Sequence, residues 1–443
     1  MSRPAASIAA IAADVRAGKR KAVDIAREAL DRLRADPCVA VTRILSERAL
    51  AEAEAVDATV AGGGDPGPLA GVPYGVKDLF DVAGLPTTAG NAARLEAEPA
   101  TRDAEAIHRL HAAGAVLTAT LNMDEFAYGF ATINAHFGTT RNPHDPARLA
   151  GGSSGGSAAV VAGGLLPLAL GSDTNGSIRI PAALCGVYGL KPTHEALPLE
   201  GVYPFVDSFD DIGPFAADIE GLRLATETLR GAPLQAAMPR SIALLGGWFA
   251  SNLSPDMIAA RARIAAHLGA GEAELPAVDV ARSSAFLITA SEGGRFHAPM
   301  LADRALTYDP ATRDRLIAGA TLSSAIVADA RRFRRWFAAQ ADALFAEWDV
   351  LIAPATPCAA PPIADPMIAV GGQRVPARAH LGIHTQPLSF IGLPSLVVPL
   401  RDCGALPLGL QLVGPPGGEA RLFALAARLE ADGLVGGWPA CGA

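Results

Sequence analysis

Cysteine is scarce in this sequence, which has five in 443 residues and no Cys-x-x-Cys pair. This spacing supports neither a disulfide framework nor a cysteine zinc site, and it favours reduced thiols in the cytoplasm. Positive charge is also short, because the net charge is −8 and no lysine and arginine stripe alternates with aromatic residues. We therefore expect no direct contact with nucleic acid and a small or peptidic ligand instead.

Long uninterrupted hydrophobic runs are absent as well. Residues 158–171 form the longest apolar stretch, but paired glycines and Pro167 interrupt it, and it is too short to span a bilayer. The N-terminus shows no apolar segment of the kind that precedes an export cleavage site. Half of the residues are nonetheless hydrophobic and 19% are charged, which is enough to bury a large core. The sequence therefore predicts a cytoplasmic protein without membrane attachment.

The hydrophobic spacing divides the chain into an amphipathic preface and a main α/β domain. Residues 1–60 carry apolar side chains every three or four positions, and we assign them to helices of the same fold. A turn-rich link at 61–68 leads into 61–443, where short β-branched runs alternate with helical segments. The stretch from 237 to about 345 is predicted to be helical, and the chain then returns to strands and one last helix. This pattern predicts a large mixed sheet covered on both faces by helices.

The segment with the strongest chemical content is residues 151–193, which begins GGSSGGS and continues through GSDTNGSIR to CGVYGLKPT. A phosphate-binding loop is one interpretation, but no lysine follows the glycines as the Walker pattern requires. A nucleophile elbow is formally spelled by Gly151, Ser153 and Gly155, but no hydrophobic strand precedes it. A third interpretation, a resemblance to a known family, is favoured over both.

These motifs closely resemble the signature of the amidase signature family, and GVPYGVKD at 71–78 is similar to a second element of that family. The resemblance implies an amidohydrolase without metal or cofactor. It places the nucleophile at Ser177, a bridging serine at Ser153 and the base at Lys77. In that family the peptide bond before the bridging serine is cis, which the sequence leaves open at position 152.

The chemistry suits these residue types. A serine hydroxyl must lose its proton as it attacks an amide carbonyl, and a lysine accepts that proton only when burial and hydrogen bonding lower its pKa from about 10.4. The resemblance implies an oxyanion loop at Thr174, Asn175 and Gly176, where asparagine departs from the commoner glycine. That asparagine either tolerates a positive φ or reaches the substrate.

Further residues near the signature have both a functional and a structural interpretation. Those expected to support the site are Ser154, Ser172, Asp173 and Arg179, of which the last two are loop braces or simply a buried ion pair. Tyr128 and Phe205 line a pocket or only pack in the core. Arg313 and Arg315 lie where a related amidotransferase keeps an anion-binding arginine, and either one binds a substrate carboxylate or both are solvated helix charges.

Within the family, the segments 122–130, 172–179 and 205–216 are most similar to the branch that hydrolyses 1-carboxybiuret in cyanuric acid degradation. That resemblance implies a small amide substrate with a carboxylate, s-triazine catabolism and a small helical partner subunit. The runner-up is the glutaminase (A) subunit of glutamyl-tRNA(Gln) amidotransferase, which shares the NMDEFA element. A non-catalytic scaffold subunit is a minor alternative from another functional class.

Overall fold

Capping side chains mark where several helices begin in the structure, a computed structural model that describes residues 7–438. Ser7, Asp218, Ser254, Asp309 and Ser323 each accept a hydrogen bond from an amide in the first turn of the helix that follows. The helices are α1 Ile8–Arg16, α2 Ala22–Arg34, α3 Ser46–Ala61, α4 Glu105–Ala112, α5 Gly155–Ala162, α6 Arg179–Cys185, α7 Ile219–Arg230, α8 Pro255–Leu268, α9 Val278–Arg304, α10 Pro310–Ala320, α11 Ser324–Phe345, α12 Ala377–His380, α13 Gln386–Ser389 and α14 Glu419–Ala431. Short 3₁₀ turns cover Ala92–Glu96, Glu125–Ala127, Gly247–Ala250 and Ala305–Thr307.

Short apolar runs form the strands. They are β1 Val41–Ile44, β2 Pro73–Lys77, β3 Val116–Leu121, β4 Ile133–Asn134, β5 Gly138–Thr139, β6 Arg141–Asn142, β7 Asp145–Leu149, β8 Leu168–Asp173, β9 Tyr188–Lys191, β10 Asp211–Ala216, β11 Ile242–Leu245, β12 Gly271–Ala273, β13 Val350–Pro354, β14 Met367–Val370, β15 Gln373–Pro376, β16 Ser395–Pro399 and β17 Gly409–Val413. Within residues 7–438 the large sheet has eleven strands in the order β1-β3-β2-β8-β10-β9-β16-β17-β13-β11-β12. It contains both parallel and antiparallel pairs, so the predicted mixed sheet is confirmed.

Both faces of this sheet are buried. In β16, Leu396 and Val398 belong to one apolar cluster, whereas Val397 between them belongs to another. The first cluster includes Leu222 of α7, and the second includes Val160 of α5, so helices cover the sheet on either side. Successive side chains of a strand point to opposite faces, which is why these strands read as continuous hydrophobic runs.

Three strands lie where the sequence predicted helices. β1 falls inside the predicted helical preface, and β11 and β12 fall inside the predicted helical stretch 237–345. Each is short, and pairing with a distant strand determines its conformation: β1 joins β3, while β11 joins β13. Periodicity cannot separate so short an apolar run from a helix, because a strand of three or four residues has too few positions to show its period.

Two features can be stated for the described part of the chain only. No helix within residues 7–438 combines the length and apolar character needed to cross a membrane. The same residues contain no group of three or more His, Cys, Asp and Glu side chains placed to hold a metal ion. The described cysteines are free thiols, and Cys441 lies outside the described residues.

Candidate active site

The predicted catalytic residues meet at one edge of the large sheet. β2 runs parallel to both β3 and β8, so the carboxyl ends of the three strands lie side by side. β2 ends at Lys77 and β8 ends at Asp173, and the loops that follow carry the remaining candidates. Ligand sites of open α/β sheets form at such carboxyl ends, where loops diverge and leave a crevice.

A buried lysine and two serines form the centre of the site. Lys77 Nζ lies 2.7 Å from Ser153 Oγ and 2.7 Å from Ser172 Oγ. Burial lowers the pKa of Lys77 to about 7, although the negative charges of Asp124, Asp210 and Asp173 act in the opposite direction. Near neutral pH this amine is therefore uncharged in about half of the molecules and can accept a proton.

The glycine-serine loop is fastened to the loop that carries Ser177. The Gly152–Ser153 peptide bond is cis. The amide of Ser154 donates to the carbonyl oxygen of Ser177 at 3.2 Å. Ser154 Oγ donates to the carbonyl of Ser172 at 3.0 Å and accepts from the Ser172 amide at 3.2 Å. Ser172 thus contacts the lysine directly, whereas Ser154 braces the end of β8.

A fully buried ion pair holds the Ser177 loop from its other side. Asp173 Oδ2 accepts from Arg179 Nε at 3.0 Å, and Oδ1 accepts from Arg179 Nη2 at 3.0 Å. Burial alone raises the pKa of Asp173, but the Arg179 guanidinium outweighs it and the pKa lies below its ordinary value. Asp173 also accepts from the amides of Gly176 at 2.6 Å and Ile178 at 3.1 Å. The amide of Gly176 is thereby occupied, so the expectation that it faces an oxyanion is not met here.

Ser177 opens onto a small cavity. The cavity measures about 340 Å³, at the lower end of the range for small-molecule pockets. The predicted residues that line it together with Ser177 are Tyr128, Thr174, Asn175, Phe205 and Arg315. Lys77 and Ser153 have no exposed surface and lie outside this lining. The nucleophile candidate therefore faces the ligand space, and the base candidate is sequestered from it.

The structure distinguishes between the two candidate arginines. The Arg315 guanidinium stacks 3.6 Å from the centre of the Tyr128 ring and donates to the Tyr128 carbonyl at 3.0 Å. Within residues 7–438, no carboxylate lies within 4 Å of it, so its charge is available to a ligand. Arg313 instead donates to the adjacent Asp314 and does not line the cavity. The Tyr128 ring also packs against Phe205, with ring centres 4.9 Å apart.

Asn175 is not explained by backbone conformation. In the loop from Thr174 to Ser177 the positive φ belongs to Gly176, at 132°, and not to Asn175. The first of the two sequence interpretations of Asn175 is therefore wrong. Its side chain turns toward the cavity instead, where Nδ2 donates to Thr289 Oγ1 at 2.9 Å.

Sequence reasoning missed several residues that shape this site. Thr289 of α9 and Gln386 of α13 line the cavity from more than 100 positions away in the chain. Asp210 accepts a hydrogen bond of 2.6 Å from Thr174 Oγ1, and Asp124 accepts from the amides of the loop after Tyr128. Asp124 stands in the NMDEFA element, so its motif was visible. The other three lie in segments whose local pattern carries no chemical signal.

Comparison with known proteins agrees with this geometry. The Amidase family model matches residues 24–237 and 257–423. The AtzE subunit of 1-carboxybiuret hydrolase from Pseudomonas sp. (strain ADP) is 45% identical, over 95% of this chain and 97% of that protein. The glutaminase (A) subunit of glutamyl-tRNA(Gln) amidotransferase from Thermus thermophilus is 36% identical, over 95% of this chain and 96% of that protein.

Solved structures give the same picture. A chain from an inhibitor-bound protein complex of an s-triazine catabolic enzyme superimposes with a TM-score of 0.94 and 43% identity, covering 98% of this chain and all of that one. A crystal structure of an amidase superimposes with a TM-score of 0.90 and 33% identity, covering 96% of this chain and all of that one. With the matching family model and these relatives, the chain belongs to the amidase signature family and is an amidohydrolase.

Proposed function

We propose that the protein hydrolyses 1-carboxybiuret to urea-1,3-dicarboxylate and ammonia, with Ser177 as nucleophile, Ser153 as proton relay and Lys77 as base. The observation that carries the chemistry is the 2.7 Å contact between Lys77 Nζ and Ser153 Oγ, behind a serine that faces the cavity. The substrate class is supported by the 45% identity to one subunit of a 1-carboxybiuret hydrolase.

The first step forms an acyl-enzyme. Ser177 Oγ attacks the terminal carboxamide carbon, and its proton passes through Ser153 Oγ to the neutral Lys77 amine. The tetrahedral intermediate then collapses, the carbon–nitrogen bond breaks, and the proton returns through Ser153 to the leaving nitrogen, which departs as ammonia. A water molecule hydrolyses the resulting ester by the same proton route, which frees the second carboxylate of the product.

Backbone amides of the Ser177 loop stabilise the oxyanion in this proposal. Because the Gly176 amide donates to Asp173, the candidates are the amides of Thr174, Asn175 and Ser177. The buried Asp173–Arg179 pair fixes the path of this loop, so that these donors are oriented before the substrate binds. Loss of a single oxyanion donor costs about 10²–10³ in rate in well-studied hydrolases.

Arg315 anchors the substrate carboxylate in this proposal. Its guanidinium lines the same cavity as Ser177 and has no carboxylate partner within 4 Å in the described chain. A guanidinium pairs with a carboxylate through two parallel hydrogen bonds, which fixes the orientation of the substrate as well as its position. The Tyr128 ring beneath it holds the guanidinium plane at the cavity wall.

We also propose that the enzyme works in the cytoplasm with a small helical partner subunit. The relative with 45% identity is itself named as one subunit of its enzyme, and the superimposed chain comes from a protein complex. The free cysteines of the described chain favour a reducing compartment. Co-purification of the untagged partner with the tagged chain, in a fixed ratio on size exclusion, tests the assembly.

The function is tested by ammonia release from 1-carboxybiuret generated in situ by opening of the cyanuric acid ring, with glutamine measured in parallel. We expect release from 1-carboxybiuret in the wild type and none in Ser177→Ala. A matched control is Ser395→Ala, which removes a buried hydroxyl of β16 outside the site and leaves turnover unchanged. Turnover of glutamine alone would assign the protein to the amidotransferase branch, and release by Ser177→Ala would refute the proposed nucleophile.

A further inference from the structure

Two amide side chains at the cavity each have one end bound and the other end free for a ligand. Asn175 Nδ2 donates to Thr289 Oγ1 at 2.9 Å, which leaves Oδ1 buried without a hydrogen-bond partner in the described chain. Gln386 Oε1 accepts from Arg282 Nε at 3.2 Å. Because a guanidinium only donates, this contact leaves the Gln386 amide nitrogen, a donor, for the cavity.

The position of Asn175 decides which part of a substrate it meets. It stands two residues before Ser177 in the same loop, so its acceptor lies beside the reacting carbon rather than beside the distant Arg315 anchor. It is 5% exposed, and a buried acceptor without a partner carries an uncompensated desolvation cost. A ligand group that donates a hydrogen bond next to the scissile carbonyl would remove that cost.

The chemistry of the candidate substrates differs at this point and not in length. In 1-carboxybiuret and in glutamine alike, three atoms separate the scissile carbonyl carbon from the carboxylate carbon. Arg315 therefore cannot distinguish them by reach. The atom next to the scissile carbonyl is an N–H in the first and a methylene in the second, and the next position is a carbonyl in the first and a second methylene in the second.

We propose that Asn175 Oδ1 accepts from the N–H next to the scissile carbonyl and that Gln386 Nε2 donates to the carbonyl that follows. The pair makes the cavity selective for acylureas over carbon-flanked amides. This inference rests on the proposed function, since it uses Ser177 and Arg315 to orient the substrate. A methylene in the same place leaves the Asn175 acceptor unsatisfied, which costs about 10- to 100-fold in affinity.

The departure of this position from glycine fits the same role. Glycine, the commoner residue at this point of the family pattern, offers no side-chain acceptor. The φ angle at Asn175 lies outside the left-handed region, so the backbone does not require asparagine here. Thr289 and Arg282, both on α9, hold the two amides from behind and keep the acceptor and the donor apart.

The test uses three ligands of equal length that differ by one group at a time: glutaramate, 3-ureidopropanoate and 3-oxo-3-ureidopropanoate. Each is titrated calorimetrically against the full chain carrying Ser177→Ala, which prevents turnover. We expect the N–H of the second ligand to tighten binding about 10- to 100-fold over glutaramate, and the added carbonyl of the third to tighten it again. Equal affinities for all three would overturn this inference and leave the proposed reaction intact.

Variants assign each gain to its residue. Asn175→Gly abolishes the first gain, and Gln386→Met abolishes the second. Thr289→Val, which removes only the hydroxyl that holds Asn175, reduces the first gain without touching the loop of Ser177. Arg315→Gln is the matched control, because it weakens the three ligands equally. A first gain that survives Asn175→Gly would overturn the role of Asn175, and failure of all three ligands to bind would overturn the anchored pocket of the proposed function and this inference with it.

Discussion

Replacing Lys77 with methionine tests whether the folded enzyme keeps this side chain neutral. Burial lowers its pKa from 10.5 to about 7, so the unfolded chain binds a proton here that the folded chain releases above pH 7. Stability therefore rises with pH between about 7 and 10.5, and the penalty is fully present below the lower value. Since each tenfold difference in proton affinity is worth about 1.4 kcal/mol, the lysine destabilises the fold by about 4 kcal/mol at pH 7.

Methionine removes this penalty because it is apolar and of similar length. It leaves the hydroxyls of Ser153 and Ser172 without their partner, at about 1 kcal/mol each. Lys77→Met should therefore be inactive yet more stable than the wild type by about 2 kcal/mol at pH 7. The advantage should shrink by about 2 kcal/mol between pH 7 and pH 9, as the wild type approaches the pH at which its unfolded lysine is also neutral.

Urea denaturation of both proteins at pH 7, 8 and 9 measures this difference. Lys19→Met is the control, because Lys19 is 72% exposed and its replacement adds no pH dependence in this range. Parallel stability curves for the wild type and Lys77→Met would show that the folded enzyme holds a charged lysine. That result would refute the assignment of Lys77 as a base at neutral pH.

Three further outcomes follow from the same geometry. The kcat/KM for ammonia release should fall about tenfold for each pH unit below 7, because only the neutral Lys77 amine accepts a proton; a flat profile from pH 5 to 9 contradicts this. Arg179→Met should lower the free energy of unfolding in urea by about 3–5 kcal/mol, since it strands a buried carboxylate, and an unchanged midpoint would count against the brace. Gly152→Ala should abolish turnover, because its Cβ would lie 2.2 Å from Asp124 Oδ2, whereas Gly62→Ala, with its nearest contact at 3.4 Å, should leave turnover unchanged; an active Gly152→Ala enzyme would argue against so tight a loop.

Residues within one contiguous motif could be predicted from the sequence, and residues brought together by the fold could not. Strand β2 and its terminal Lys77, the loop with Ser153, and the loop with Ser177 each carry a local pattern, and the parallel strands bring them to one edge as expected. Thr289 and Gln386 lie on helices whose local sequence records only helix formation. Their place at the cavity depends on how α9 and α13 pack over the sheet edge, which no short pattern encodes.

The choice between Arg313 and Arg315 shows the same limit at two positions of one helix. Both follow Asp309, the cap of α10, within its first two turns, and composition treats them alike. Residues two apart on a helix point about 200° away from each other, so that only one of them can face the cavity. Which one it is depends on the rotation of α10 against α9, and Tyr128 then fixes the Arg315 guanidinium by stacking.

The buried ion pair links the stability of the site to its proton chemistry. Lys77 stays near neutrality because burial outweighs the attraction of three carboxylates, among them Asp173. Arg179 neutralises Asp173 with two hydrogen bonds of 3.0 Å, which weakens the pull of that carboxylate on the lysine proton. Without Arg179 the uncompensated charge of Asp173 would raise the pKa of Lys77 and leave less neutral amine at pH 7. The guanidinium that orders the Ser177 loop is therefore also a reason why a lysine can serve as the base beneath it.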